Sequence, residues 1–300
     1  MEQTLETTLQ QPSSPLRSRR DAMMLGGAAL AGIALGSKAI AQSTTVTDND
    51  ILNFALNLEF LEAQFYTLAV TGMTIDQAGL SIKSGSGAAG GTVIVKSNPK
   101  VAFTTPFLQS FAAEVAADEQ NHVKFLQSAL GTSAVAMPNI DLLNSFNALA
   151  SAAGLGSSFD PFASETNFLI GAFIFEDVGV TAYQGAAGLI SNKTYLDKAV
   201  GIHNVEAYHA ASIRTRIFQA GSTAQSISQS IATTRAKLDG TNNDDIGVGI
   251  NGSASTIVDC DSNGMTYART TTQVLSIVYG GGTAGKGGAF FPAAMNGTVK

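Results

Sequence analysis

The chain has 300 residues, 45% of them apolar and only 13% charged, with a formal net charge of −6. This apolar content supports one large folded domain or two small ones, and the acidic balance with no basic face excludes nucleic acid as a partner. A single cysteine, Cys260, excludes an internal disulfide and any site built from several thiolates.

Residues 1–41 read as a twin-arginine export signal. Ser18-Arg19-Arg20-Asp21 opens the pattern, the apolar run MMLGGAALAGIALG follows, and Ala39-Ile40-Ala41 is a small-x-small cleavage site. The run is 14 residues, short of the roughly 20 needed to span a bilayer. An uncleaved anchor is the competing reading. The expected partner is the twin-arginine export machinery, and the expected location is periplasmic or extracellular.

The first helix is expected to start near Asp48-Asn49-Asp50, an Asx cap with first-turn acids, and to run to Val70. Ile51, Phe54, Leu58, Leu61, Phe65 and Leu68 recur at helical spacing, with Glu59, Glu62 and Tyr66 on the neighbouring face. Residues 71–100 read as a flexible connection, with a short strand in TVIVK. The letters of a dinucleotide fingerprint, Gly85-x-Gly87-x-x-Gly90, occur there without the strand before and helix after that the fingerprint requires, so nucleotide binding is rejected.

The second helix spans about 104–130, with Pro106 in its first turn and Gly131 at its end. It carries Glu119 and His122, while Glu114 and Asp118 lie nearer the surface. A loop with a short helix at about 141–151 follows. The third helix, about 164–190, is almost wholly apolar, with Glu176 and Asp177 as its only interior acids. A carboxylate in such a run is paired, metal-bound or protonated. The fourth helix, about 194–219, carries Glu206 and His209. His203 on the same helix reads as a capping or surface residue, and Arg214 and Arg216 suit its C-terminal end or an acid partner.

From 220 the chain changes character. A short helix at 222–237 precedes a Gly/Asn/Asp-rich loop. Asp259-x-Asp261-x-Asn263-Gly264 opens like a calcium loop, but its twelfth position is Thr270, so an Asx turn is preferred. A fifth helix is expected over 270–279, then an extended tail anchored by Phe290 and Phe291.

The spacing carries the chemistry. Glu119/His122 and Glu206/His209 are both Glu-x-x-His, and i and i+3 share one helix face. Glu59/Tyr66 and Glu176/Tyr183 are both Glu-x6-Tyr. The chain therefore repeats a helical hairpin. Two such hairpins facing each other can hold two metal ions between four carboxylates and two imidazoles. The expected ligands are Glu59, Glu119, His122, Glu176, Glu206 and His209, with Glu62 as an alternative or addition to Glu59. Carboxylate and imidazole donors without thiolate suit two Fe or Mn ions, and Zn can substitute in vitro. Tyr66 and Tyr183 are candidate catalytic residues, as hydrogen-bond donors beside the metals or redox-active phenols, with plain core packing as the rival role.

These residues, in LNFALNLEFLEAQFY, ADEQNHVKFL, FEDVGVTAYQGA and HNVEAYHAASIR, resemble the ferritin-like superfamily. The chain is especially similar to exported ferritin-like domain proteins related to plant desiccation-associated proteins. The resemblance implies an all-α four-helix bundle over 48–219, with a long crossover and an irregular C-terminal extension over 220–300. It further implies a di-iron or di-manganese site reacting with O2 or peroxide as a ferroxidase, peroxidase or catalase. A stress-protective protein with a structural or vestigial metal site is the rival reading. A homodimer is a candidate assembly. Storage in a closed shell does not fit the long connection and extension.

Overall fold

The computed structural model describes residues 46–241 and 244–300. The expected export signal lies outside the described residues. Helix α1 (Asp48–Thr71) is capped one residue before the expected Asx cap. Thr47 is the N-cap, and it forms a capping box with Asp50. Asp48 is thereby free to accept hydrogen bonds from the Ser191 and Asn192 amides, which ties the start of α1 to a later turn. The helix stops at Gly72, whose φ of 80° is left-handed and whose N–H closes on Leu68.

Helix α2 (Pro106–Leu130) runs back along α1. Gln120 on α2 donates to Thr67 late in α1, while Asn53 early in α1 bonds residues 133 and 135 beyond the end of α2. The connection over 72–105 is long, as expected, but it is not loose. Strand β1 (Val93–Ile94) pairs in parallel with β2 (Ile140–Asp141). The Gly85 and Gly91 amides donate to the carbonyls of Ala134 and Met137. A Cβ on Gly91 would stand 2.5 Å from the Asn139 nitrogen, so this glycine permits a close backbone approach. The glycines that mimic a nucleotide fingerprint belong to a packed strap.

Helix α3 (Asn144–Ala152) lies in the connection that crosses to the second hairpin. That hairpin is α4 (Glu165–Ala187) and α5 (Lys193–Gln219), packed on each other as α1 packs on α2. Ser164 caps α4 and Asn192 caps α5 through side-chain oxygens. From Phe168 to Tyr183, every residue of α4 is buried. Such a helix needs partners on all sides, and the extension supplies the missing ones. Helix α6 (Ser222–Asp239), a short hairpin of β3 (Ile250–Asn251) and β4 (Ala254–Ser255), helix α7 (Thr271–Val278) and the tail wrap the bundle. Phe65 of α1 sits 5.3 Å from Phe175 of α4, and Phe290 of the tail sits 4.9 Å from Phe175, centroid to centroid. Burying each such ring contributes about 1.5–3 kcal/mol. Asn296 of the tail exchanges hydrogen bonds with Asn57, a fully buried amide on α1.

The architecture is thus all-α with small strand pairs, as the helical periodicity predicts. No helix among the described residues is long and apolar enough to cross a membrane.

Candidate metal centre

The two hairpins bring Glu59, Glu119, His122, Glu176, Glu206 and His209 together in the bundle interior. Each is less than a tenth exposed. Ligand atoms of Glu59, Glu119, His122 and Glu206 all lie within 4.8 Å of one another, as do those of Glu119, Glu176 and His209. Glu119 belongs to both groups. The imidazoles face inward through Nδ1. His122 Nδ1 stands 3.2 Å from Glu59, 3.4 Å from Glu119 and 3.4 Å from Glu206. His209 Nδ1 stands 3.1 Å from Glu119 and 3.5 Å from Glu176. Both rings come from the position three after a glutamate, so helical geometry puts each on the cluster face of its helix. His122 meets its own Glu119, whereas His209 meets Glu119 and Glu176 rather than its own Glu206.

Glu59 and Glu62 are one turn apart, and the structure separates them. Glu59 enters the four-membered group. Glu62 lies outside both groups, buried at its edge. The edge is shaped by Gly179, which the sequence reading passed over. A Cβ there would stand 2.6 Å from Glu206 Oε2 and 3.4 Å from Glu62 Oε1. A glycine inside a helix costs roughly 1 kcal/mol relative to alanine, and here the missing side chain makes room for two carboxylates. That cost was the available signal.

The Glu-x6-Tyr repeat has a geometric cause. Tyr66 of α1 donates to Glu176 of α4, and Tyr183 of α4 donates to Glu59 of α1. The later residue of each helix meets the earlier residue of the other, the signature of an antiparallel pair. Each phenol binds one oxygen of a carboxylate and leaves the second turned toward the cluster. Burial, together with the adjacent glutamates, raises the pKa of both phenols well above the usual value, so they stay protonated donors at neutral pH. Asp118 lies nearer the surface, as expected, with its side chain partly exposed, yet it also reaches the cluster. Its Oδ2 lies 3.2 Å from His209 Nε2, holding the imidazole from its outer side. The position that matches it before Glu206 is Val205, so His122 has no such carboxylate from that register. Nothing in one sequence reveals this contact, because it crosses between helices. His203 stays out of the cluster, half-buried beside the Val180 backbone.

Charge in this cluster is not balanced by protein groups. Five buried carboxyls face two imidazoles. Burial, with the neighbouring acids, pushes Glu62 and Glu206 well above the usual carboxylate range. Burial also lifts Glu119 to about 7 against the two imidazoles. Burial disfavours the charged form of His209, but Glu176 and Glu119 outweigh it and push the ring up to about 12. Glu59 is also penalised by burial, yet His122 outweighs this and lowers it. Both oxygens of Glu119, both of Glu206, Oε2 of Glu176 and Nδ1 of His209 are buried without a hydrogen-bond partner. A buried acceptor left unsatisfied costs about 1–3 kcal/mol, and more when charged. Oxygens of Glu119, Glu176 and Glu206 converge to 3.1–3.5 Å from the two Nδ1 atoms, a geometry that a cation among them would satisfy. Oxygen and imidazole donors arranged in this way fit one or two divalent cations.

The comparisons with known proteins agree with this geometry. The model of the ferritin-like domain matches residues 47–219. Desiccation-related protein PCC13-62 of Craterostigma plantagineum is 27% identical over 270 residues, which cover 84% of this chain and 83% of that protein. Ferritin-like catalase Nec2 of Nesocodon mauritianus is 23% identical over 269 residues, 84% of each chain. No solved structure matches significantly. With the matched domain covering all four helices that carry the cluster, this chain belongs to the ferritin-like domain family.

Proposed function

We propose that this chain is an exported di-metal carboxylate protein that reacts with peroxide or O2 in protection against oxidative or desiccation stress. The observation that carries the reading is the pair of overlapping donor groups joined at Glu119. In this reading Glu59, Glu119, His122 and Glu206 hold one Fe or Mn ion. Glu119, Glu176 and His209 hold the second, and Glu62 is an added carboxylate at the edge. Bound Fe or Mn supplies Lewis acidity and redox capacity toward the O–O bond. The chain supplies the setting. Tyr66 and Tyr183 fix Glu176 and Glu59 so that one oxygen of each faces inward. The apolar walls of α1 and α4 exclude bulk water. Asp118 orients His209. The catalase named among the relatives supports peroxide as the oxidant. The twin-arginine pattern supports export, with folding around a cofactor before transport.

A second reading has its own support, since a desiccation-related protein matches at slightly higher identity. The fold would then be a protective helical bundle with a structural or vestigial metal site. Elemental mass spectrometry on protein matured in its native compartment separates the two. About two Fe or Mn per chain, with consumption of peroxide or O2, is the expected result. A chain that carries no metal and refuses Fe(II) and Mn(II) in vitro supports the protective reading.

A further inference from the structure

The carboxylate cluster has two sides that differ in polarity. On the imidazole side, the Asp118 side chain is partly exposed, while His122 beside it is buried. On the other side, beside Glu62 and Gly179, lies a cavity of about 20 Å³. A water-sized molecule needs about 10–15 Å³. Glu62 is the only polar side chain lining it, and Ile277, Val278 and Phe290 of the extension supply its outer wall. A second cavity, of about 30 Å³, lies further out between α3, α4, α6 and α7. Ile174 and Ile277 line both cavities and form the partition between them. The outer cavity in turn shares Ala153 and Thr234 with an open surface groove that reaches Lys237 on α6. Apart from Thr234 and Arg235, the outer cavity is lined by apolar residues. The Arg235 guanidinium is already engaged by Asp177 and Asp245.

We propose that this line of cavities, groove to Ala153/Thr234 to Ile174/Ile277 to Glu62, is an entry path for a small uncharged molecule, with Ile174 and Ile277 as its inner gate. The proposal rests on the di-metal reading above, because it needs a reactive centre at its inner end. Its walls decide what it admits. Stripping water from an ion in an apolar passage costs several kcal/mol or more. Metal cations therefore enter from the partly exposed imidazole side, and dioxygen or undissociated hydrogen peroxide uses the apolar path. The path also gives the extension a role that a plain bundle would lack. Without α6, α7 and the tail, the Glu62 side would open to bulk water.

Xenon pressurisation of protein crystals tests the path without relying on turnover, since dry apolar cavities bind xenon. Xenon is expected in both cavities of the wild type. Ile277→Phe should remove the inner xenon, leave the outer one and leave metal content unchanged. It should also slow consumption of peroxide and of O2 by about tenfold, as a blocked gate limits a rate. Comparing the two oxidants on one variant shows which of them uses the path. Because a larger side chain strains a packed core, Ala153→Phe at the half-buried outer neck is the second plug. It should empty the outer cavity of xenon and slow the same reactions. Wild-type cavities without xenon, in a chain with normal metal content, overturn the path alone. So does a plugged variant that loses xenon and keeps the wild-type rate. A chain that binds xenon in both cavities but takes up no Fe or Mn overturns the di-metal reading, and with it the function of the path.

Discussion

Two groups of buried acids lie on different sides of α4, and adjacent residues of that helix feed them. Glu176 turns into the carboxylate cluster. Asp177 turns away, into a cluster of arginines. There Arg214 stands 2.7 Å from Asp177, and Arg235 bonds both Asp177 at 2.9 Å and Asp245 at 2.6 Å. Arg269 bonds Asp239 at 2.8 Å and Asp245 at 3.0 Å. Asp177, Asp245 and Asp259 are close enough together to hold an ion, yet arginines already supply the positive charge. Around Glu119 and Glu206 no arginine approaches among the described residues, and the oxygens stay without partners. Burial of acids does not by itself indicate a metal. What separates the two groups is whether the protein brings its own cations.

The largest expected effect strikes the first group. His122→Ala with His209→Ala should abolish stoichiometric metal while leaving helix content largely intact, checked by elemental analysis and circular dichroism. Unchanged metal content in that double variant would break the comparison, because both groups would then be structural. The converse experiment is Arg235→Met. It strips Asp177 and Asp245 of a buried partner and should destabilise the fold by about 3–5 kcal/mol, read as a lower denaturation midpoint. The metal content of the folded fraction should not change.

The two groups also differ in how far the sequence reveals them. Glu119/His122 and Glu206/His209 are legible because helical periodicity is local and puts i and i+3 on one face. The bundle could be read for the same reason, as could Phe290 and Phe291 as anchors, both fully buried. The arginine group could not. Its members come from α4, α5, α6 and two loops, and no spacing links residue 177 to residue 245. Asp177 could be read only as an interior acid that wants a partner, and Arg214 only as a cation suited to a helix end or an acid. The strap over 72–105 was hidden in the same way. Its glycines look like slack until the backbone of residues 131–139 is placed against them. Asp261 shows its local turn directly, accepting from the Asn263 and Met265 amides as an Asx turn does.

A smaller effect sharpens the difference within the metal group. Only His209 has a carboxylate, Asp118, on its outer nitrogen from this register. Removing such a partner weakens metal affinity by about 10–100-fold. Asp118→Ala should therefore weaken one of the two ions and leave the other near its original affinity. Titration against a competing chelator should resolve two steps that move apart. Two ions weakened equally would mean that Asp118 acts on the whole bundle rather than through His209.

The smallest effect tests the arginine group by pH. Burial, with Asp177 nearby, lifts Asp259 from 3.8 to about 7 against the pull of Arg214. A carboxyl with a raised pKa binds its proton more tightly when folded than when unfolded. Its ionisation therefore costs stability, and the cost grows as pH rises from about 4 to about 7 and is constant above that. Asp259→Asn keeps the shape and removes the titration. The variant should match the wild type near pH 4 and melt higher above pH 7. About 1 kcal/mol would appear as about 2–4 °C in Tm. A wild type that is instead the more stable protein at pH 8 would mean that Arg214 needs the Asp259 charge at 3.9 Å. The arginine group would then be short of acid, with no negative charge to spare, and a cation could not compete for it at any pH.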